Sequence, residues 1–120
     1  MRGELYITRP EQFARVYDKG SSWASELVVM KALPNRLSLS RYGFSVSRRL
    51  GGAVIRNRVK RRLREILRSL PLEAGWDIIF IARPKAAAAS FADLKKRVRG
   101  LLSRARILAR EYEGASLRLN

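Results

Sequence analysis

Between Phe44 and Leu70 the chain reads FSVSRRLGGAVIRNRVKRRLREILRSL. Nine of these residues are basic, namely Arg48, Arg49, Arg56, Arg58, Lys60, Arg61, Arg62, Arg64 and Arg68, and only Glu65 is acidic. Side chains of this kind at this density bind phosphate. A guanidinium fork bridges phosphate oxygens, and the amide of Asn57 offers both a donor and an acceptor. At 100° per residue, Ile55, Val59, Leu63, Ile66, Leu67 and Leu70 share one face of a helix over 53–70. Asn57, Arg61, Arg64 and Arg68 lie opposite. Lys60 and Arg56 border that stripe on one side, Arg58 and Arg62 on the other. Glu65 can pair with Arg61 or Arg68. The other charges have no counterpart, so the face repels itself unless a polyanion covers it.

Catalytic chemistry is missing from the sequence. Histidine and cysteine are absent, so a hydroxyl nucleophile has no imidazole base. The acids are Glu4, Glu11, Asp18, Glu26, Glu65, Glu73, Asp77, Asp93, Glu111 and Glu113. They are scattered, whereas a two-metal nuclease needs clustered carboxylates. Gly51-Gly52 before a helix can cradle one phosphate, but the lysine and hydroxyl of a P-loop are not there. The chain reads as an RNA-binding protein without a catalytic group or metal site of its own.

Composition agrees. A net charge of +16, from 26 basic and 10 acidic residues, points first to a nucleic-acid partner and second to an anionic membrane. With 120 residues, 47% of them hydrophobic, residues 1–120 are expected to form a single RNA-binding domain around a small core. No apolar run approaches membrane-spanning length and no signal-peptide core opens the chain, so cytoplasmic residence without membrane contact is expected.

The elements that must position the basic helix follow in order. Residues 1–7 read as a mobile arm. Thr8 and Glu11 suggest a capping box for a helix with Pro10 in its first turn, running to about Lys19 and stopped by Gly20. Phe13, Val16 and Tyr17 share one side of it. Glu26 to Leu33 and Leu37 to Ser47 read as two strands, and the short turn at Pro34-Asn35 suggests that they pair antiparallel. After the basic helix, which Pro71 closes, the apolar run Asp77 to Arg83 reads as a central strand covered on both faces. A last helix, capped at Ser90, carries Phe91, Leu94, Val98, Leu101, Leu102, Ala105 and Leu108 on its apolar face and runs to about Tyr112. Gly100 weakens it mid-way. The tail, residues 114–120, reads as frayed. The predicted fold is α+β: a two-layer sandwich of a small mixed β-sheet with helices, order αββαβα, of the kind found in ribosomal proteins.

Arg56-Asn57-Arg58, followed by Lys60, Arg61 and Arg64 and preceded by Ser45-Val46-Ser47-Arg48-Arg49, resembles the signature of the bacterial ribonuclease P protein subunit. The order of elements across nearly all of the chain is similar too. The resemblance implies a partnership with the ribonuclease P RNA subunit, which carries the active site and uses magnesium to remove the 5′ leader of precursor tRNA. It implies RNA contacts at Arg48, Arg49, Arg56, Asn57, Arg58, Lys60, Arg61, Arg64 and Arg68. It also implies a cleft for the single-stranded leader at Phe13, Tyr17 and Lys31, with no small-molecule substrate and a βαβ crossover of unusual left hand. Where the family usually carries an Arg/Leu-rich segment, this chain has Leu5-Tyr6-Ile7-Thr8-Arg9. A ribosomal or other structural RNA-binding protein shares the charge and size, and capture of rRNA would favour it. A membrane-active basic protein is the other class, tested by liposome binding. Neither accounts for the combined Ser-Val-Ser-Arg and Arg-Asn-Arg pattern.

Overall fold

The computed structural model describes residues 6–109. The outer part of the predicted arm and the predicted tail lie outside the described residues. The elements are α1 (Pro10–Lys19), β1 (Ser21–Ala24), β2 (Val28–Pro34), β3 (Arg41–Ser45), a 3₁₀ turn (Arg48–Leu50), α2 (Ala53–Arg68), β4 (Trp76–Ala82), a second 3₁₀ turn (Pro84–Ala87) and α3 (Phe91–Arg104). One mixed sheet runs in the order β1-β2-β4-β3. The architecture is the expected α+β sheet with helices, with one strand more than the sequence suggested. β1 is a polar edge segment, Ser-Ser-Trp-Ala, paired with β2 from Ser21↔Ala32 to Ala24↔Val29. It carries no apolar alternation that could have announced it.

The expected antiparallel pairing of the second and third strands is wrong. β4 lies between them, antiparallel to β2 (Met30↔Phe80) and parallel to β3 (Gly43↔Ile79). The run Ile78-Ile79-Phe80 is fully buried, and a strand apolar on both faces gains most from the centre of the sheet. The connection after β2 must therefore pass over the end of β4, and a polar knot ties it there. Arg41 donates to both carboxylate oxygens of Asp77, from Nε at 2.8 Å and Nη2 at 2.7 Å. Asn35 Nδ2 donates to Asp77 Oδ1 at 2.9 Å and to the Leu39 carbonyl at 3.2 Å. The Leu37 amide donates to Asn35 Oδ1 at 2.8 Å, with Arg36 at φ 61° between them. Ser40 Oγ donates to the Glu73 carbonyl and accepts from the Trp76 amide. Burial pushes the Asp77 carboxyl up, but the hydrogen bonds from Arg41 and Asn35 outweigh it and hold the group below the usual carboxylate range. One further sequence expectation is corrected by the same knot. The predicted strand from Leu37 to Ser47 shrinks to Arg41–Ser45, because 35–40 belongs to the knot.

α1 has Pro10 in its first turn as expected, but its N-cap is Arg9 rather than Thr8, and the side chain that reaches back is Gln12 rather than Glu11. Gln12 Oε1 accepts from the Thr8 amide at 3.1 Å and the Arg9 amide at 3.0 Å. α3 stops at Arg104, short of the expected Tyr112. Arg106 takes φ 61°, its amide donates to Ser103 O at 3.0 Å, and the Ile107 amide reaches back to Leu102 O at 2.9 Å. That is a Schellman stop. It turns Ile107 and Leu108 into the core instead of along the helix.

Two apolar clusters hold the layers. On one face of the sheet, Met30, Ile78 and Phe80 pack with Val59, Leu63, Ile66 and Leu67 of α2 and Leu94, Val98, Leu101 and Leu102 of α3. On the other, Ile79 packs with Val16 of α1 and with Ile7, flanked by Phe13, Leu33 and Ile81. β3, α2 and β4 form a βαβ unit, so the first turns of α2 emerge beside the edge strand β3.

Candidate nucleic-acid interface

α2 enters through a tight corner. The Ser47 hydroxyl accepts from the Arg49 amide at 3.3 Å, and Gly51 adopts φ 141°. That backbone angle demands glycine there; a Cβ on Gly51 would also meet the tip of the Ile55 side chain, Cδ1, at 2.7 Å, which would have to move. Arg48 and Arg49 are exposed on the 3₁₀ turn that makes this corner, not on a strand.

Once the apolar side of α2 is fixed against the sheet, its rotation follows. Asn57, Arg61, Arg64 and Arg68 are all exposed, while Arg56, Arg58, Lys60 and Arg62 are half-buried flanks. The flanks face different surroundings. Arg58 Nη2 donates to the Ala87 carbonyl at 2.9 Å and Arg62 Nη1 to the Ala89 carbonyl at 3.0 Å, so this side buttresses the chain leading into α3. The other side opens on a groove of about 440 Å³ lined by Tyr6, Ile7, Thr8, Phe13, Tyr42, Gly43, Phe44, Lys60, Arg64 and Arg68. The groove therefore joins one wall of the basic helix to aromatic rings from α1, β3 and the segment before α1.

Phe13 reaches the floor of this groove because β3 carries no side chain at Gly43. A Cβ at that position would lie 2.9 Å from Phe13 Cζ and 3.3 Å from Ile7 Cβ. Tyr6 pairs with Tyr42 and Phe44, with ring centroids 6.5 and 6.4 Å apart. Burial, reinforced by Tyr6, pushes the Tyr42 phenol up, so its hydroxyl stays protonated and able to donate. One turn along α1, Tyr17 is 40% exposed and sits 6.5 Å from Phe13, with Lys31 Nζ 5.9 Å from its ring centroid. Phe13, Tyr17 and Lys31 thus form one cluster, although only Phe13 lines the groove itself. Asn57 and Arg61 stand on the outer crest of α2. Sequence reasoning missed Tyr6, Tyr42 and Phe44. The alternation around Gly43 placed Phe44 in a strand, but nothing local showed that this strand is an edge next to the basic helix.

Among the described residues the only ion pair is Arg41–Asp77, so no acid neutralises the α2 stripe. No three His, Cys, Asp or Glu side chains among them are grouped to hold a metal ion. The described residues offer no group of carboxylates that fits a magnesium ion. No helix among them is long and apolar enough to cross a membrane.

The family model for ribonuclease P matches residues 1–106. The chain belongs to the ribonuclease P protein family. It is 51% identical over 97% of its length to the ribonuclease P protein component of Dehalococcoides mccartyi strain 195, covering 97% of that protein. It is 43% identical to that of Roseiflexus castenholzii, covering 90% of this chain and 91% of that one. Among solved structures, a Staphylococcus aureus RNase P protein mutant with defective mRNA degradation activity superposes with a TM-score of 0.84 at 32% identity, covering 90% of this chain and 93% of that one. The Thermotoga maritima RNase P protein gives 0.75 at 30% identity, with 82% and 96% covered. Family membership accounts for the strongly basic exposed face of α2.

Proposed function

We propose that the chain is the protein subunit of a cytoplasmic ribonuclease P whose RNA subunit performs the magnesium-dependent cleavage that frees the mature 5′ end of tRNA. In this reading the crest of α2, with Asn57, Arg61, Arg64 and Arg68, and the corner residues Arg48 and Arg49 grip the RNA subunit. The groove between α1, β3 and α2 takes the single-stranded leader of precursor tRNA. Its aromatic rings stack on unpaired bases without regard to sequence, and its cationic wall follows the phosphates. The observation that carries the reading is the groove itself, in which Phe13, Tyr6 and Tyr42 face Lys60, Arg64 and Arg68. Single-stranded RNA has both a π-face and a charged edge, and this groove offers a partner to each.

Magnesium enters through the RNA. The protein contributes by screening phosphate repulsion where the two RNAs meet, which lowers the magnesium concentration the complex needs. The test is reconstitution of the recombinant chain with a ribonuclease P RNA on a 5′-extended precursor tRNA at low magnesium. The expected outcome is leader removal under conditions where the RNA alone is inactive. Affinity for the RNA subunit should fall on the order of 100-fold between about 50 and 200 mM monovalent salt as counterions are released. No activation, or a flat salt dependence, overturns the proposal.

A further inference from the structure

α3 carries a second set of cations that the groove and α2 do not use. With Leu94, Val98, Leu101 and Leu102 buried, helical spacing turns Lys96, Gly100 and Ser103 to the opposite side, with Arg99 at the edge of that stripe. None of these residues lines the groove. Not every cation of α3 is available. Arg104 Nη1 donates to the Ala24 carbonyl at 3.3 Å. Arg97 lines a separate hollow that also holds Glu26 and Asp93. Lys96 and Arg99 are exposed and make no hydrogen bond or ion pair with the described residues.

Beside these two cations the helix is bare. A Cβ built on Gly100 meets nothing within 4 Å. Glycine inside a helix is destabilising relative to alanine, and here no neighbouring element requires the missing side chain. Lys96 and Gly100 lie one turn apart, about 6 Å along the helix, and with Arg99 they present charge and exposed backbone. Among the described residues, none of the large apolar side chains that are exposed, Tyr17, Leu37 and Val54, lies on α3. Such a surface suits a rigid polyanion that comes close to the backbone and suits a protein partner poorly.

We propose that Lys96, Arg99 and Gly100 of α3 form a second RNA-binding surface that seats a sugar–phosphate backbone against the helix at Gly100. The proposal rests on the RNA-binding reading of the chain, but it concerns a face separate from α2.

The test uses the full chain with three variants: Gly100→Gln, the double Lys96→Gln/Arg99→Gln, and Arg61→Gln/Arg64→Gln as the α2 control. Binding is measured to a ribonuclease P RNA alone, and then for precursor tRNA added to the assembled complex. Gly100→Gln should raise the melting temperature by about 2–5 °C through better helix propensity. It should nevertheless weaken RNA binding on the order of 10-fold, because the side chain fills the notch. A variant that is more stable yet binds less cannot be explained by unfolding. The double variant should lower the slope of log affinity against log salt by about 1.4–1.8, the share of two phosphates. A loss confined to the first arm assigns the surface to the RNA subunit, and one confined to the second assigns it to tRNA. If both α3 variants bind with normal affinity and slope while the α2 control weakens, the α3 surface is overturned and the α2 reading stands. If all three variants bind normally, both readings fall.

Discussion

The two flanks of α2 carry the same kind of charge and are put to opposite uses. On one side Arg58 and Arg62 reach backbone carbonyls at Ala87 and Ala89 and hold the helix to the chain that leads into α3. On the other side Lys60, Arg64 and Arg68 line an open groove and meet no carboxylate among the described residues. An arginine that donates to a carbonyl has spent part of its hydrogen-bonding capacity inside the fold. One that faces a groove keeps all of it for a phosphate. The difference teaches that a basic signature in sequence is not a list of ligand contacts. Part of it is scaffolding that sets the rotation of the rest.

The largest expected effect tests whether both flanks depend on one core. Leu63 is fully buried between the sheet and α3. Leu63→Ala should cost about 2–5 kcal/mol in unfolding free energy through the lost contacts and the cavity. Denaturant unfolding measures it, and binding to every RNA should fall together. A variant of normal stability that nevertheless binds no RNA would show that the apolar face of α2 is not what fixes its basic one.

Next come Arg61→Ala and Arg64→Ala, on the exposed crest and the groove side. Each should weaken assembly with the RNA subunit by about 1.5–3 kcal/mol, the range of a charge-assisted hydrogen bond. The melting temperature should not move, because neither side chain has a hydrogen-bond or ion-pair partner among the described residues. Should the two variants assemble with wild-type affinity at confirmed fold, the stripe is merely a solvated surface and the contrast between the flanks loses its meaning.

Tyr17→Ala separates the aromatic cluster beside the groove from the helix crest. With the ring 40% exposed beside Phe13, its loss should reduce affinity for precursor tRNA by about 1–3 kcal/mol if a base stacks there. Mature tRNA, which has no leader, should bind as before, and so should the RNA subunit. Equal losses for all three RNAs with a lower melting point would make Tyr17 a packing residue.

How much of this could be read from the chain depended on range. The apolar face and cationic stripe of α2 were legible because helical periodicity is local: Val59, Leu63, Ile66 and Leu67 are buried as the spacing demands. The central position of β4 was legible from its unbroken apolar run. The strand partners were not. That β4 slips between β2 and β3 depends on Asp77 finding Asn35 and Arg41 some forty residues earlier, and no short window contains that contact. The extent of α3 was misjudged because the stop uses Arg106 in a left-handed conformation where a glycine would have been the visible signal. In the site, Phe13, Tyr17 and Lys31 were legible through family resemblance. Tyr6 and Tyr42 were not, since they matter only because an edge strand happens to lie beside α2. The division between the flanks was invisible for the same reason. Helical spacing put Arg58 and Arg62 together, but only the packed structure shows the carbonyls that occupy them.

The smallest expected effect is the most direct test of that division. Arg58→Lys keeps the positive charge and removes the guanidinium fork. If Arg58 serves RNA as a phosphate-binding charge, lysine should preserve most of the salt dependence and the fold should be indifferent to the change. If its main task is the 2.9 Å hydrogen bond to Ala87, lysine has a single flexible ammonium with which to reach a carbonyl that the rigid fork now meets. The unfolding free energy should then fall by about 0.5–1.5 kcal/mol, the net worth of one hydrogen bond. The slope of log affinity against log salt should stay unchanged, because the phosphate count has not altered. Arg64→Lys provides the mirror image, with stability untouched and RNA affinity reduced where a fork gives way to a point charge. Unfolding curves and salt titrations of the two variants, measured side by side, decide the matter. The contrast between the flanks fails if Arg58→Lys melts like the wild type and loses RNA affinity as Arg64→Lys does.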